Sequence, residues 1–408
     1  MNTNDKTKLS IVDLVSRLYE HLHIGEPPED ALYSSVNFYL DEEGYQSLYF
    51  EVLRALYTIS GITEIWSERA LKDQLHWLLV KLAEAKEVAG NSDQTSINFS
   101  SLATIWLERF QSQFEKQNYY IPVTGLEVEK PLTIGSVTFW PWAEKLTEIE
   151  QQDPFHTYAD LPAHSSCLVG VRIAAEAYKA VEIMRQRVEE ALNVLRYLGA
   201  LVWYNQPTRH IYLAGTEPGR VSYVLTWDGQ GRIDRLGDSL YWPIPFQVDN
   251  TFLNRANNYG LRDLSAWIDN PEATPLQKLL VNSIQWFGDA TQELAPLQAF
   301  MKYYVAMESL LKKGRENAKK VVPKRVACLL GERDREKRQL EIELLIEERN
   351  EVFHRGSPKE DPPELLEWVG HQFARNMINK ILPMASSYGF STKEEFLCWV
   401  DKSCADRA

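Results

Sequence analysis

The spacing of hydrophobic positions changes twice along the chain and so predicts three regions. In the first region, residues 1–117, apolar residues recur three and four positions apart, which is typical of amphipathic helices. Gly44 and Gly61 interrupt this pattern and separate the helices. The predicted helices are Leu9–Leu22, Tyr45–Ile59, Glu68–Ala89 and Ser101–Phe114.

The second region, residues 118–273, combines short strands with one long helix. Apolar and polar residues alternate in several short segments bounded by turn residues, which predicts antiparallel strands. The helix covers about 174–198, with apolar residues three and four apart and Gly199 as the predicted stop. The predicted strands are 119–123, 126–128, 132–134, 137–139, 167–173, 210–213, 220–227 and 232–236.

The third region, residues 274–408, has a helical pattern throughout. Thr274 and Pro275 form a helix start signal, and Gly288, Gly314 and Gly356 are the predicted helix ends. The predicted helices are about 275–288, 294–313, one starting near 323, 334–354, 364–384 and 393–401. The expected fold class is therefore α+β overall: a helical N-terminal segment and a small mixed sheet with one long helix, followed by an all-α bundle.

The composition is that of a globular protein inside the cell. The 408 residues include four cysteines without CxxC or zinc-ligand spacing, which indicates reduced thiols and a cytoplasmic location. The N-terminus has no apolar signal core, and no run approaches the length of a membrane span, so we expect no membrane association. A net charge of −13 argues at first against a nucleic-acid partner.

The charge is, however, unevenly distributed. Residues 311–325 hold seven basic side chains against the single acid Glu316, and residues 301–360 carry +4 while the rest of the chain carries −17. One interpretation is a solvated helix face, and the other is a binding surface for a polyanion. The basic residues are Lys312, Lys313, Arg315, Lys319, Lys320, Lys324 and Arg325.

A candidate catalytic motif follows at the end of the fourth C-terminal helix. Asn350 and His354 are four residues apart and share a helix face, and the long side chain of Arg349 can reach the same spot. Histidine can exchange a proton near neutral pH, and arginine can hold a phosphate during phosphodiester cleavage. Alternatively, these are ordinary last-turn cations favoured by the helix dipole. The similar Arg-to-His spacings at Arg17–His23 and Arg69–His76 warn that spacing alone is weak evidence.

Other cofactor and metal motifs are missing from the sequence. The glycine loops 215–219 and 229–231 lack the features of phosphate loops and are predicted to be hairpin turns. His21 and His23 are two residues apart and should face apart, so we expect no metal site there. The prediction is a protein without cofactors. On the last long helix, Trp368 and Phe373 are expected to pack inside the bundle.

The region 295–385 resembles the Apea-like branch of the HEPN domain family. The resemblance rests on an aromatic helix ending in YYVAMESLL (303–311), the basic stretch, and the string RNEVFHRG (349–356) before one more long helix. The segment YYIPVTGLEVEKPLTIGSV is similar, less specifically, to the N-terminal part of such proteins. Gly356 stands where family members paired with nucleotidyltransferase antitoxins often carry a tyrosine, so modification of that tyrosine cannot regulate this chain.

The resemblance implies a helical bundle that forms a homodimer and cleaves RNA without a metal, as in toxin and antiviral proteins. It makes Arg349 and His354 catalytic, Asn350 an orienting residue and Glu308 their acidic partner, although Glu308 could also be one exposed acid on an amphipathic helix. The basic stretch and Arg355 would bind the RNA, and the N-terminal region could take a partner protein or ligand.

Two alternatives stay open: a non-catalytic HEPN module used for dimerisation or ligand binding in a defence or stress assembly, and a small-nucleotide sensor built on the α+β region.

Overall fold

The fold is that of a computed structural model covering the whole chain. The residues whose structure is described are 3–28, 31, 33–35, 38–59, 61–90, 99–110, 114–152, 165–203, 208–214, 216, 224–227, 233–236, 245–331 and 334–405. Both predicted glycine turns, 215–219 and 229–231, lie outside or only at the edge of these residues.

The N-terminal region is helical as predicted but also contains a small sheet. Strands β1, β3 and β2 lie side by side in that order, and both pairings are antiparallel. The apolar faces of the helices bury one core that includes Leu18, Leu53, Leu75 and Trp106. The elements are α1 (Thr3–Glu20), β1 (Leu22–Ile24), β2 (Tyr33–Ser35), β3 (Phe38–Leu40), a π-helical turn (Gly44–Tyr49), α2 (Phe50–Tyr57), α3 (Ile62–Ile65), α4 (Glu68–Gly90) and α5 (Phe99–Arg109).

A five-stranded sheet follows, with the strand order β6-β7-β8-β4-β9. The alternating burial of Val137 and Phe139 against Thr138 shows why the period-two pattern predicted this strand correctly. Strand β12, which the pattern did not predict, pairs in parallel with β5. The elements are β4 (Gln117–Thr124), β5 (Leu126–Val128), β6 (Leu132–Ile134), β7 (Val137–Pro141), α6 (Trp142–Gln152), β8 (Ser165–Ile173), α7 (Ala177–Val202), a 3₁₀ turn (Thr208–His210), β9 (Tyr212–Leu213), β10 (Val224–Trp227), β11 (Ile233–Leu236) and β12 (Phe246–Val248).

All secondary structure in the remaining described residues is helical. The predicted α+β class with an all-α C-terminal bundle is confirmed. The helix expected to start near residue 323 begins five residues earlier, because Asn317 caps its first turn and Pro323 is accommodated inside the helix. The helices are α8 (Asn250–Asn258), α9 (Leu261–Trp267), α10 (Pro275–Gln292), α11 (Pro296–Leu311), α12 (Ala318–Leu330), α13 (Arg335–Arg355), α14 (Pro363–Ser387) and α15 (Lys393–Ala405).

Two glycines predicted to end helices lie inside them. Gly288 is in the fourth turn of α10, where an added Cβ would lie 2.0 Å from Oδ1 of Asn193 on α7. Gly199 is likewise within α7, and its missing Cβ leaves room for Thr208 and Phe246. These glycines serve close packing, so the local pattern placed both helix ends too early.

The chain forms two compact units, Met1–Tyr119 with Arg172–Met184 and Tyr120–Val171 with Arg185–Ala408. The division at residues 117 and 273 stays a prediction. Within the described residues, no helix is both long enough and apolar enough to cross a membrane.

Candidate active site

The predicted motif lies in the last two turns of α13. A buried stripe formed by Ile342, Leu345 and Val352 holds this helix against the bundle. Gly356 ends the helix in the left-handed conformation at φ 73°, as the sequence predicted. The motif therefore lies at a well-defined helix C-terminus, and His354 and Arg355 are in its last turn.

Arg349 is held by side chains on α11 and α13. Its Nη1 donates a hydrogen bond to Oδ1 of Asn350 at 3.1 Å, and its Nη2 lies 3.9 Å from Oε2 of Glu308. The guanidinium carbon lies 5.2 Å from the ring centroid of Tyr304 and 5.4 Å from that of Phe353. The predicted trio of Arg349, Asn350 and Glu308 is thus brought together by the packing of α11 on α13.

The Arg349 side chain retains hydrogen-bonding capacity. Its Nε is shielded from solvent and has no hydrogen-bond partner among the described residues. That nitrogen is therefore out of reach of a ligand. The two Nη groups carry four N–H donors, of which one bonds Asn350, and the side chain is 28% exposed, so a phosphate could still accept a two-pronged hydrogen bond from them. Burial raises the pKa of the Tyr304 hydroxyl beneath it, and the charge of Glu308 acts in the same direction while Arg349 opposes it.

His354 lies apart from this trio. Its imidazole is exposed and packs edge-on against the Phe353 ring, with the centroids 5.3 Å apart. Within the described part of the chain, no hydrogen bond or ion pair joins it to Arg349, Asn350 or Glu308. A single chain therefore presents the arginine cluster and the histidine at the same helix end, with no hydrogen bond or ion pair between them among the described residues.

Glu348 precedes the motif and binds the backbone of the segment that follows it; the sequence pattern did not indicate this residue. It is buried, and its two carboxylate oxygens accept hydrogen bonds from the backbone N–H groups of Lys359 at 2.8 Å and Glu360 at 3.2 Å. It thereby anchors the proline-rich segment that follows the motif. Its position in the sequence could have indicated this role, because Glu348 falls on the apolar stripe of α13, where a buried carboxylate needs hydrogen-bond partners.

The basic residues of the predicted RNA surface have different environments. Lys312 lies 3.5 Å from Glu308, and Lys319 forms an ion pair with Glu347 at 2.7 Å. This second pair places the start of α12 beside the penultimate turns of α13, close to the motif. Within the predicted RNA-binding set, three cations are exposed and have no ion pair among the described residues: Arg315, Lys320 and Lys324. Lys313 Nζ lies 3.4 Å from Sγ of Cys398, and Arg355 pairs with Glu351 at 3.0 Å.

Arg325 differs from the rest of the predicted RNA-binding set. Its side chain is 3% exposed and forms paired hydrogen bonds with Glu316 at 2.6 and 3.0 Å and with Asp401 at 2.8 Å. Its Nη1 also donates to the carbonyl oxygen of Leu311 at 2.7 Å. Arg325 joins the end of α11, the following loop, α12 and α15. Because these bonds occupy its guanidinium, it is not accessible to a phosphate.

An exposed apolar groove separates α13 from α14. Leu344 and Leu365 line it together with Trp368, which is 54% exposed, and its volume is about 350 Å³. The expectation that Trp368 packs inside the bundle is wrong, whereas Phe373 is buried as predicted. Trp368 projects outward because the buried stripe of α14 runs through Leu366, Gly370 and Phe373.

The two N-terminal histidines also differ from expectation. Nδ1 of His21 lies 3.0 Å from both carboxylate oxygens of Asp41, and Nε2 of His23 lies 3.2 Å from one of them. The side chains therefore converge instead of facing apart, because the chain enters a strand at Leu22 and the helical spacing no longer applies. Among the described residues, no group of three or more His, Cys, Asp or Glu side chains is arranged to hold a metal ion.

Comparison of the chain with protein-family models, curated proteins and solved structures finds no match.

Proposed function

We propose that the C-terminal bundle is a metal-independent endoribonuclease of the HEPN type, active as a homodimer in the cytoplasm as a toxin or antiviral-defence effector. The observation that supports this most is the environment of Arg349: Glu308, Asn350 and two aromatic rings fix its guanidinium, yet its partly exposed Nη groups keep donors for a phosphate. In the proposed reaction, Arg349 stabilises charge on the phosphorus while His354 transfers a proton. The RNA 2′-hydroxyl loses its proton, attacks the phosphorus and displaces the 5′-oxygen, which takes up a proton. One product therefore ends in a 2′,3′-cyclic phosphate and the other begins with a 5′-hydroxyl.

The proposed dimer explains why the histidine stands apart. Leu340, Leu344 and His354 lie within about 80° of one another around α13, at 3.6 residues per turn. Both leucines are more than half exposed. A second copy that covers this apolar face and the Trp368 groove would enclose His354 and bring two motifs into one cleft.

The cations at 312–320 support an RNA substrate. They cluster at the end of the bundle that carries the motif, as the Lys312–Glu308 and Lys319–Glu347 pairs show. Phosphate binding there would be sequence-independent and would weaken as salt rises. Arg325 is omitted from this proposed surface because its charge is neutralised within the fold.

The test is to incubate the full chain with total RNA in EDTA and to analyse the product ends for 2′,3′-cyclic phosphate. Arg349→Ala and His354→Ala should abolish cleavage, and Arg349→Lys should reduce it strongly because lysine lacks the planar fork. His76→Ala, from the similarly spaced Arg69–His76 pair, is the matched control and should cleave normally.

Three results would count against the proposal. Cleavage that persists in both motif variants would place the activity elsewhere. A chain that cleaves no RNA yet is dimeric by light scattering would support the alternative, a non-catalytic HEPN dimerisation module. Trp368→Glu should separate the dimer, and a wild-type chain that is monomeric would remove the proposed composite cleft.

A further inference from the structure

Three aromatic side chains cluster where α14 leads into α15. The rings of Tyr388 and Phe390 are parallel, with an angle of 4° between their planes and 6.1 Å between their centroids. The Trp399 ring is tilted against both, at 5.9 Å from Tyr388 and 5.8 Å from Phe390. At these distances the three rings contact one another and form one aromatic cluster.

The backbone fixes this cluster. Gly389, at φ 68°, turns the chain between Tyr388 and Phe390, so their rings come to lie on the same side. Below it, the carbonyl oxygen of Ser391 accepts a hydrogen bond from Leu276 N at 3.1 Å. Phe390 packs edge-on against Phe396, which is fully buried. The rings are therefore held in place before any ligand arrives.

Tyr388 is the most exposed ring of the cluster and does not belong to the buried core. Tyr388 is 62% exposed, while Phe396, Leu397 and Val400 bury the inner face of α15. An aromatic cluster of this kind could simply cap the end of the bundle. Phe390 contacts the core through Phe396, whereas Tyr388 is mostly exposed.

The cluster borders the basic loop of the candidate active site. Nζ of Lys313 lies 3.4 Å from Sγ of Cys398, the residue before Trp399. Helix α15 is tied to the same loop, because Arg325 forms hydrogen bonds both with Glu316 in the loop and with Asp401 on α15. An aromatic surface flanked by cations suits a ligand that is planar, apolar on its faces and negatively charged along its backbone.

We propose that Tyr388, Phe390 and Trp399 form a stacking platform for unpaired bases of RNA, so that the substrate is single-stranded beside the cleavage site. This inference rests on the proposed ribonuclease function and specifies its substrate class. Bases in a duplex are already stacked and paired, so they offer no free faces to the rings. Lys313 contacts the phosphate that follows the stacked base.

The experiment measures binding of the full chain to a fluorescent oligouridine by anisotropy. The oligonucleotide carries 2′-O-methyl groups, which remove the nucleophile and prevent cleavage during titration. The same strand annealed to its complement is the duplex probe. Variants are Tyr388→Ala, Trp399→Ala and Tyr388→Trp, which retains a ring. Trp286→Ala removes an exposed aromatic on α10 and is the matched control.

Tyr388→Ala should weaken single-strand binding by about 5- to 20-fold, which is the lower part of the range for losing one stacked base. Tyr388→Trp should bind like the wild type, and duplex binding should not change. The control variant should bind both probes normally. Because Tyr388 is exposed, its loss should leave the fold intact even if Trp399→Ala does not.

Three outcomes would overturn the platform. These are unchanged single-strand binding in Tyr388→Ala, an equal loss for single-stranded and duplex probes, and no binding of either probe by the wild type. Unchanged binding would leave a protein partner as the occupant of the rings. The ribonuclease proposal is tested separately. If the wild type cleaves RNA but Tyr388→Ala binds single strands as the wild type does, only the platform is refuted. Ring-dependent binding without cleavage would remove the nuclease alone.

Discussion

Replacing Arg325 with alanine should loosen the C-terminal helix of the bundle. The wild-type side chain makes hydrogen bonds to Glu316 in the loop after α11, to Asp401 on α15 and to the carbonyl oxygen of Leu311. Alanine removes all of these bonds at once. It also leaves two carboxylates facing one another without the cation between them.

The size of the effect follows from the burial of the partners. Removing one member of a buried ion pair costs about 3–5 kcal/mol because the remaining charge stays desolvated. Here the side chains of Glu316 and Asp401 are 29% and 48% exposed and can regain water, which reduces this cost. We expect a loss of about 2–4 kcal/mol, which corresponds to about 30- to 700-fold more frequent local opening.

Hydrogen exchange measured by mass spectrometry is the appropriate assay. Exchange reports the local opening of individual helices, which a global melting curve does not resolve. Amides of α15 and of residues 312–317 should lose protection, while those of unit Met1–Tyr119 should not. Lys324→Ala is the matched control: it removes the same charge from an exposed neighbour and should change stability by less than about 0.5 kcal/mol.

The opposite pattern would refute this reasoning. If Arg325→Ala kept the protection of α15 and lost RNA binding to the same extent as Lys324→Ala, Arg325 would be one more RNA-binding cation. The geometry described here would then have no energetic consequence.

Gly288→Ala should destabilise the bundle by about 1–3 kcal/mol or more, because the new Cβ would overlap Asn193 Oδ1. The control variant Asn282→Ala, on the exposed face of α10, should melt like the wild type. Acid should weaken the fold through Glu316, because the hydrogen bond with Arg325 lowers the pKa of this carboxyl to about 2. The stabilisation by the Glu316 carboxylate is therefore complete above its ordinary pKa of 4.5 and is lost as pH falls towards 2. Burial lowers the pKa of His371 from 6.5 to about 4. As the pH falls from 6.5 to 4 the unfolded chain binds this proton and the folded chain does not, so the free energy of unfolding decreases.

Denaturant midpoints measured across pH test both titrations. Arg325→Ala should flatten the curve between pH 4.5 and 2, because Glu316 then loses the partner that lowers its pKa. His371→Phe should flatten it between pH 6.5 and 4. Curves that keep their wild-type slope in these variants would contradict the assignments. A Gly288→Ala chain with unchanged melting would show that Asn193 can move aside.

Several features could be predicted because their causes are local. The capping box at Thr274 and Gln277 and the stop at Gly356 involve backbone groups within a few residues, so α10 starts and α13 ends where the pattern indicates. Strands such as Val137–Pro141 follow from alternation with period two. The Arg349–Asn350–His354 motif was visible for the same reason, since its residues occupy adjacent turns of one helix.

Other features depend on residues far apart in the sequence and appear only in the folded chain. Gly288 has the sequence signature of a helix end, but Asn193, 95 positions earlier, explains why it is glycine. Arg325 looks like its neighbouring lysines until Asp401, 76 residues away, reaches it. Glu308 meets Arg349 only because α11 packs on α13. Local backbone preferences act within a turn or two, whereas the environment of a charge or a missing methyl group depends on which elements the hydrophobic core brings together.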